Sequence, residues 1–314
     1  MVEVREVMKT CLGIGEVMVE LAVTKTPDLL QRGFAGDVFN SLYYAQMFLP
    51  DEWRVGFHTG LGVDQISDEI IAFMARHNIS CEMIPRSENR TVGLYMIQLS
   101  DGERSFSYWR EHSAARVMMD APEMLADKLA TAQYIYLSGI SLAILPPQGR
   151  TALLQMIKAA KTPDKTVFFD SNIRLKLWEN ADIMRACVAE AGSIADIVLP
   201  SLDDEGIAFG DRHAADVAAR YLSWGAGHVI VKNGSAPTLS ADASQQHLIS
   251  PEPVAHIIDS TAAGDAFNGA LMACLAAGKK MDDAIINAQQ CSAIVVTHNG
   301  ALIPQNHFPE ELFP

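Results

Sequence analysis

The stretch Asp259-Ser260-Thr261-Ala262-Ala263-Gly264-Asp265-Ala266-Phe267-Asn268-Gly269-Ala270 joins a run of small residues to the start of a helix. The mainly apolar run that follows reads as helical from Ala263 to Ala277, so Asp265 falls in the first turn. Small side chains let an anion approach the backbone. The first-turn amides, which have no intrahelical acceptors, supply hydrogen bonds and partial positive charge. The dipole alone contributes roughly 0.3–1 kcal/mol on an open surface. Several amides converging in a closed site count for more. An aspartate placed there can take the proton of a hydroxyl while a phosphoryl group is transferred to its oxygen. A lone Gly-Asp pair fits an ordinary turn just as well; the whole segment, late in an α/β chain, favours chemistry.

Working back from that segment, strand-like runs at Tyr134–Leu137, Val167–Asp170, Ile197–Leu199 and Val229–Lys232 alternate with helical stretches. That rhythm predicts βαβ units: a mostly parallel central sheet with helices on both faces, an α/β/α three-layer fold. Sites in such sheets lie beyond the carboxyl ends of the strands. Asp170-Ser171-Asn172-Ile173-Arg174, Pro200-Ser201 and Lys232-Asn233-Gly234 each follow a strand and therefore share one rim. A second helix, Asp282–Thr297, closes the chain.

The N-terminal third has a different texture. Cys11–Leu21 reads as one buried strand interrupted by Gly13 and Gly15, and Asp37 as the cap of a helix carrying Phe39, Leu42 and Met47. Arg54–Phe57 is a short strand, and Gly60–Asp64 leads to a helix with Ile66, Ile70, Ile71 and Met74. Thr91–Leu99 and Glu103–Arg110 predict a hairpin turning at Ser100-Asp101-Gly102. Its second strand alternates Phe106, Tyr108 and Arg110 with Ser105, Ser107 and Trp109, a pattern suited to a lid over a pocket.

Bulk properties narrow the function. With 314 residues, 49% of them hydrophobic, the chain can bury one large core or a main core with a small appendage. A net charge of -14 disfavours nucleic acid or a membrane surface as partner, and means that any anion site is built locally from arginine, lysine and amides. Five scattered cysteines form no C-x-x-C pair, and the histidines have no metal-ligand spacing. Gly13-Ile14-Gly15 lacks the rest of a dinucleotide fingerprint, and no P-loop occurs. The charged N-terminus (Glu3, Arg5, Glu6, Lys9) lacks the apolar core of a signal peptide, and Ala270–Ala277 is too short to span a bilayer, so a cytoplasmic protein is expected.

On the segment 259–265, which departs from D-T-x-G/A-A-G-D only at Ser260, the chain resembles the ribokinase-like, or PfkB-type, carbohydrate kinases. Further stretches resemble the branch acting on 2-keto-3-deoxygluconate: Gly15-Glu16, Arg32–Asn40, Arg90–Tyr95, Tyr108-Trp109-Arg110, Asn172–Trp178, Leu199–Glu205 and His298–Pro304. The resemblance covers nearly the whole chain and implies one ribokinase-like domain over 1–314 with a small β lid, its elements near 16–36 and 81–112. It implies Asp265 as catalytic base and the amides of Ala262, Ala263 and Gly264 as an anion hole. Gly36, Asp37 and Asn40 would hold sugar hydroxyls, with Tyr95, Tyr108 and Arg110 reaching down from the lid. Arg174 would lie between sugar and nucleotide. Asn172, Ser201, Lys232, Gly234, Ala236 and Asn287 would flank ATP. Mg²⁺ is implied as cofactor, Asp204 reaching it through water, and a monovalent cation and pairing of copies through the lid stay open.

The chain departs from the family pattern at Ala35, where a Gly-Gly pair is usual, and at Ser201-Leu202-Asp203-Asp204, where many relatives have N-x-x-E. A sugar acid, unlike a neutral hexose, needs a cation in a closed pocket, and arginine's planar fork suits a carboxylate. Arg110 on the lid is the candidate. A surface arginine shielding a sheet edge is the plainer reading of the same residue. The expectation is therefore an ATP-dependent kinase phosphorylating 2-keto-3-deoxygluconate on its C6 hydroxyl. The alternatives are a kinase for a neutral ketose (fructose or tagatose) or a deoxy-keto inositol derivative, and a catalytically silent sugar- or nucleotide-binding member of the fold.

Overall fold

A computed structural model describes residues 8–24, 26, 28–100 and 103–312. Strands β1 (Lys9–Ile14), β2 (Met18–Val23) and β3 (Leu30–Ala35) precede helix α1 (Asp37–Phe48). Then come β4 (Trp53–His58), β5 (Leu61–Gly62), α2 (Gln65–Arg76), β6 (Ile79–Ser80), β7 (Arg86–Ser87), β8 (Gly93–Ser100) and β9 (Glu103–Trp109). The middle of the chain supplies α3 (Glu123–Thr131), β10 (Tyr134–Ser138), α4 (Gly139–Ile144), α5 (Pro147–Ala160), β11 (Thr166–Asp170) and α6 (Ala181–Ile194). The remainder supplies β12 (Ile197–Val198), α7 (Leu202–Phe209), α8 (Ala214–Trp224), β13 (His228–Val231), β14 (Thr238–Asp242), β15 (Gln246–Ile249), α9 (Ala263–Ala276) and α10 (Met281–Val295).

Nine strands form the main sheet in the order β15-β14-β13-β12-β11-β10-β1-β4-β6, parallel from β13 to β6 and antiparallel at β14 and β15. Successive residues of each central strand face opposite sides, as the pleat requires. Cys11, Tyr136, Phe168 and Ile230 pack with α1, α9 and α10 on one face. Leu12, Ile135, Phe169 and Val229 pack with the helices from α3 to α8 on the other. This is the predicted three-layer architecture. Helix α9 lies against α1, and Gly269 comes so close to Ser41 and Ala45 that any Cβ there would collide with their backbone. That close approach sets the start of α9 beside the start of α1.

A smaller sheet, β3-β2-β8-β9, stands apart from the main one. The reading of Cys11–Leu21 as one strand is corrected here. The chain leaves the main sheet after Ile14 and enters the small sheet at Met18, with Glu16 buried in the corner between them. The upstream part of the expected 81–112 lid element is corrected as well. Arg86–Ser87 pairs with β5 rather than with the small sheet, and Arg86 Nε donates to Gly62 O at 2.7 Å. Residues 101–102, the expected hairpin tip, lie outside the described residues, as do 1–7. Ala35 ends β3 without positive φ, so alanine stands there without strain. Asp37 is the first residue of α1 rather than its cap, and its carboxylate is engaged elsewhere. Among the described residues, no helix is long and apolar enough to cross a membrane.

Candidate active site

A cavity of about 640 Å³ opens between the carboxyl-end rim of the main sheet and the small sheet. Its floor is the start of α9. Ala262, the residue before the helix, is held at φ 60°, a left-handed conformation that glycine tolerates better than alanine. The Ala263 amide closes a turn onto Ser260 O at 3.3 Å, so one of the three expected anion-hole donors is already engaged. The amides of Gly264 and Asp265, in the first turn, have no intrahelical acceptor by helix geometry and lie on the cavity wall.

Asp265 accepts a hydrogen bond from Asn40 Nδ2 at 2.8 Å, which ties α9 to α1 at the point set by Gly269. Burial, with the carboxylates of Asp37 and Asp170 adding repulsion, pushes its pKa up to about 8, against lesser opposing pulls from the Asn40 bond and the Lys232 charge. A carboxyl tuned to that range is matched to accepting a proton near neutral pH. Asp37 Oδ2 accepts from Asn172 Nδ2 at 2.8 Å, linking α1 to the loop after β11. Arg174, on the same loop, donates to Asp204 Oδ2 at 2.9 Å, and Ser201 caps α7 by accepting from the Asp204 amide at 3.4 Å.

From the small sheet, Tyr95, Phe106 and Tyr108 present an aromatic face to the cavity, Phe106 stacked on Tyr108 and Tyr95 tilted against both, their ring centroids 5.9–6.3 Å apart. The Tyr95 hydroxyl donates to Glu20, and burial beside that carboxylate keeps the phenol protonated. Arg110, just past β9, is 7% exposed and paired with Glu16, which is 1% exposed. Both line the cavity, and among the described residues each keeps one buried atom without a partner: Nε of Arg110 and Oε1 of Glu16. Sequence reading left this arginine alone in its pocket. The structure gives it a resident carboxylate, drawn from 94 residues away in the chain.

Comparison with known proteins identifies the family. Residues 8–307 match the family described as pfkB family carbohydrate kinase. The chain belongs to that family. It is 34% identical to the 2-dehydro-3-deoxygluconokinase of Dickeya dadantii and 35% identical to that of Escherichia coli strain K12, in each case over 94% of this chain and 97% of the relative. Its fold matches that of the Xylella fastidiosa fructokinase with bound ATP, with a TM-score of 0.81 and 21% identity over 96% of this chain and 95% of the other.

Within this PfkB-family kinase, the cavity gathers Gly36, Asp37 and Asn40 from the start of α1, and Tyr95, Tyr108 and Arg110 from the small sheet. The rim adds Asn172, Arg174, Ser201, Asp204, Lys232 and Gly234. Two expected nucleotide residues lie off the wall. Ala236 sits behind a turn closed by its amide on Asn233 O at 2.9 Å. Asn287 donates instead to the carbonyl of Leu312. Helix α10 meets the cavity through Gln289, Ser292, Ala293 and Val296, and a residue two positions from Gln289 points roughly 200° around the helix. Sequence reading placed Asp170 on the rim but gave it no role, and it gave none to Asn268 or Glu16. Asp170 was signalled by its place as the polar last residue of an apolar strand. Asn268 was signalled by its position one turn past Asp265. Glu16 had no local signal beyond its neighbour Gly15.

Among the described residues, no group of three or more His, Cys, Asp or Glu side chains is disposed to hold a metal by itself. The Asp204 carboxylate lies on the cavity wall, and Mg²⁺ is ordinarily held by one or two carboxylates together with waters and substrate phosphates.

Proposed function

We propose that the chain transfers the γ-phosphoryl group of ATP to the C6 hydroxyl of 2-keto-3-deoxygluconate, giving the 6-phosphate and ADP. The observation that carries this reading is one cavity uniting a carboxyl raised to about 8, an amide-lined helix start and a buried guanidinium. The names of the relatives at 34–35% identity support the same substrate.

In this reading the base of ATP rests on the apolar wall made by Val254, Ile257, Ala293 and Val296. The phosphates run toward Arg174 and the first turn of α9. The sugar lies between α1 and the small sheet, its hydroxyls on Asp37 and Asn40 and its carboxylate on the free edge of Arg110, whose fork has donors beyond the one given to Glu16. The C6 oxygen attacks the γ-phosphorus in line as the bond to ADP breaks, and Asp265 takes the hydroxyl proton. Asp204 is the rim carboxylate that would hold Mg²⁺, which would neutralise charge on the phosphates. Lowering of the small sheet, as a lid, excludes the water that would otherwise receive the phosphoryl group. The cytoplasm, where ATP is supplied, is the setting that fits.

A neutral ketose is the second reading, since Glu16 already pairs with Arg110 and a neutral sugar would leave no bare cation, but the names of the relatives do not favour it. Phosphorus NMR of a reaction with 2-keto-3-deoxygluconate and ATP tests the proposal. The expected product is a single new phosphomonoester whose phosphorus couples to a methylene group, formed in step with ADP. ADP release without a sugar ester would refute it.

A further inference from the structure

Lys232 stands at the junction of the rim and the start of α9. Its backbone is fixed just past β13: the amide donates to Pro200 O at 2.8 Å and the carbonyl accepts from Leu202 N at 2.9 Å. Its side chain then reaches across the rim, where Nζ donates to Asp170 Oδ2 at 2.9 Å and to Asn268 Oδ1 at 3.1 Å. Asn268 in turn donates to Asp170 Oδ2 at 2.6 Å and to the Tyr136 hydroxyl at 3.0 Å, which also meets Ser41 Oγ at 3.0 Å. Four elements and the end of a fifth are thus joined in one polar network beneath the cavity. Asp170 has further support, its Oδ1 accepting from the Asn172 amide at 3.1 Å. A lysine ammonium carries three N–H groups, and these bonds use two. A Cβ built on Gly264 would stand 3.6 Å from Nζ, so the ammonium lies against the turn whose amides face the cavity, and Lys232 itself lines that cavity.

We propose that Lys232 is a catalytic residue, its remaining N–H meeting the transferred phosphoryl group and holding developing charge together with the first-turn amides of α9. This rests on the kinase reading above and adds to it a cation fixed in place before the nucleotide arrives, the arrangement in which electrostatic stabilisation is most effective. Bond changes are those of the transfer itself. The acceptor oxygen gains the γ-phosphorus, the bond to the ADP oxygen breaks, the proton passes to Asp265, and Lys232 keeps its own protons throughout. A second consequence concerns Asp265. Facing it are Asp37 and Asn40 from α1, Asp170 from β11, the phenols Tyr44, Tyr95 and Tyr136, and Lys232, whose charge opposes the upward push of the carboxylates. Removing the cation therefore raises the Asp265 pKa further, and the rise of kcat with pH, which follows ionisation of this base, moves to higher pH.

The test uses the full chain with Lys232→Met, Lys232→Gln and Lys232→Arg, assayed on whichever sugar the wild type phosphorylates best. Met and Gln variants should each lose about 10²–10³-fold in kcat with KM for ATP changed less than about fivefold, and the limb of the kcat–pH profile should shift upward. Arg should return the limb to its wild-type position and recover part of kcat. Gln keeps hydrogen bonding without charge, so it reads the chemistry even if Met fails to fold. Retention of kcat within about threefold in the Gln variant, or a loss of kcat with the limb unmoved and no better in Arg than in Gln, overturns the proposal and leaves a structural lysine. Should the wild type accept fructose but not the sugar acid, the substrate reading falls while Lys232 is judged on fructose by the same criteria.

Discussion

The rim of the main sheet and the small sheet above it differ in how completely their groups are tied down. On the rim, Asp170 accepts from Lys232, Asn268 and the Asn172 amide, Asp37 from Asn172, and Asp265 from Asn40, so the reacting end of the cavity is fixed from several elements. On the small sheet, Phe106, Tyr108 and Trp109 are 42%, 53% and 58% exposed, although two of these rings face the cavity. In the proposed mechanism, buried order is concentrated where atoms react, and open apolar surface where a substrate enters and is enclosed. Chemistry that depends on preorganised charge is served by the first region, and selection by closure is served by the second.

Breaking the rim should have the larger effect. Asp265→Asn is expected to lower kcat by about 10²–10⁴-fold or more, the range typical of a lost general base, while affinities for ATP and sugar stay within about an order of magnitude. Single-turnover kinetics with equilibrium binding will measure both, and a variant keeping half of the wild-type kcat would remove Asp265 from its role. A smaller effect sharpens the other half of the contrast. With sugar acid and nucleotide bound, amides of residues 93–99 and 105–109 should gain protection from hydrogen exchange, whereas β11 and β13, already buried and paired, should change little. Equal gains in both regions, or none in the small sheet, would erase the distinction.

The sequence disclosed the rim better than the lid, for physical reasons. Polar groups that directly follow apolar runs mark the strand ends, so Asp170 to Asn172, Ser201 and Lys232 are legible without knowledge of the fold. The start of α9 is legible because small residues before an acidic first turn leave amides uncovered. The apolar character of Cys11–Leu21 could not show that the chain changes sheets at Glu16, since β1 is buried throughout after Lys9 and β2 begins buried at Met18 and Val19. Nor could it reveal that Arg110 has Glu16 for company, a contact between distant segments that only tertiary packing makes. Asn287 was placed on the nucleotide by resemblance, whereas the helical period of Gln289, Ser292 and Val296 turns it away. The antiparallel edge, β14 and β15, went unread, because Gln246, His247 and Leu248 of the outer strand are exposed and carry little hydrophobic pattern.

In the proposed mechanism, substrate choice is where the two regions meet, and it turns on Arg110. Because Glu16 already pairs that guanidinium, a neutral sugar does not strand a bare cation, and the advantage of a sugar acid comes from the bonds its carboxylate adds. The preference should then be smaller than for an unpaired arginine, yet clear. The decisive measurement is kcat/KM for 2-keto-3-deoxygluconate against fructose, in the wild type and in an Arg110→Leu, Glu16→Gln double variant that leaves no lone buried carboxylate. The account predicts that the wild type favours the acid by at least about tenfold and that the double variant loses most of this preference. A wild type that uses fructose as well as the acid, or a preference that survives in the double variant, would contradict it.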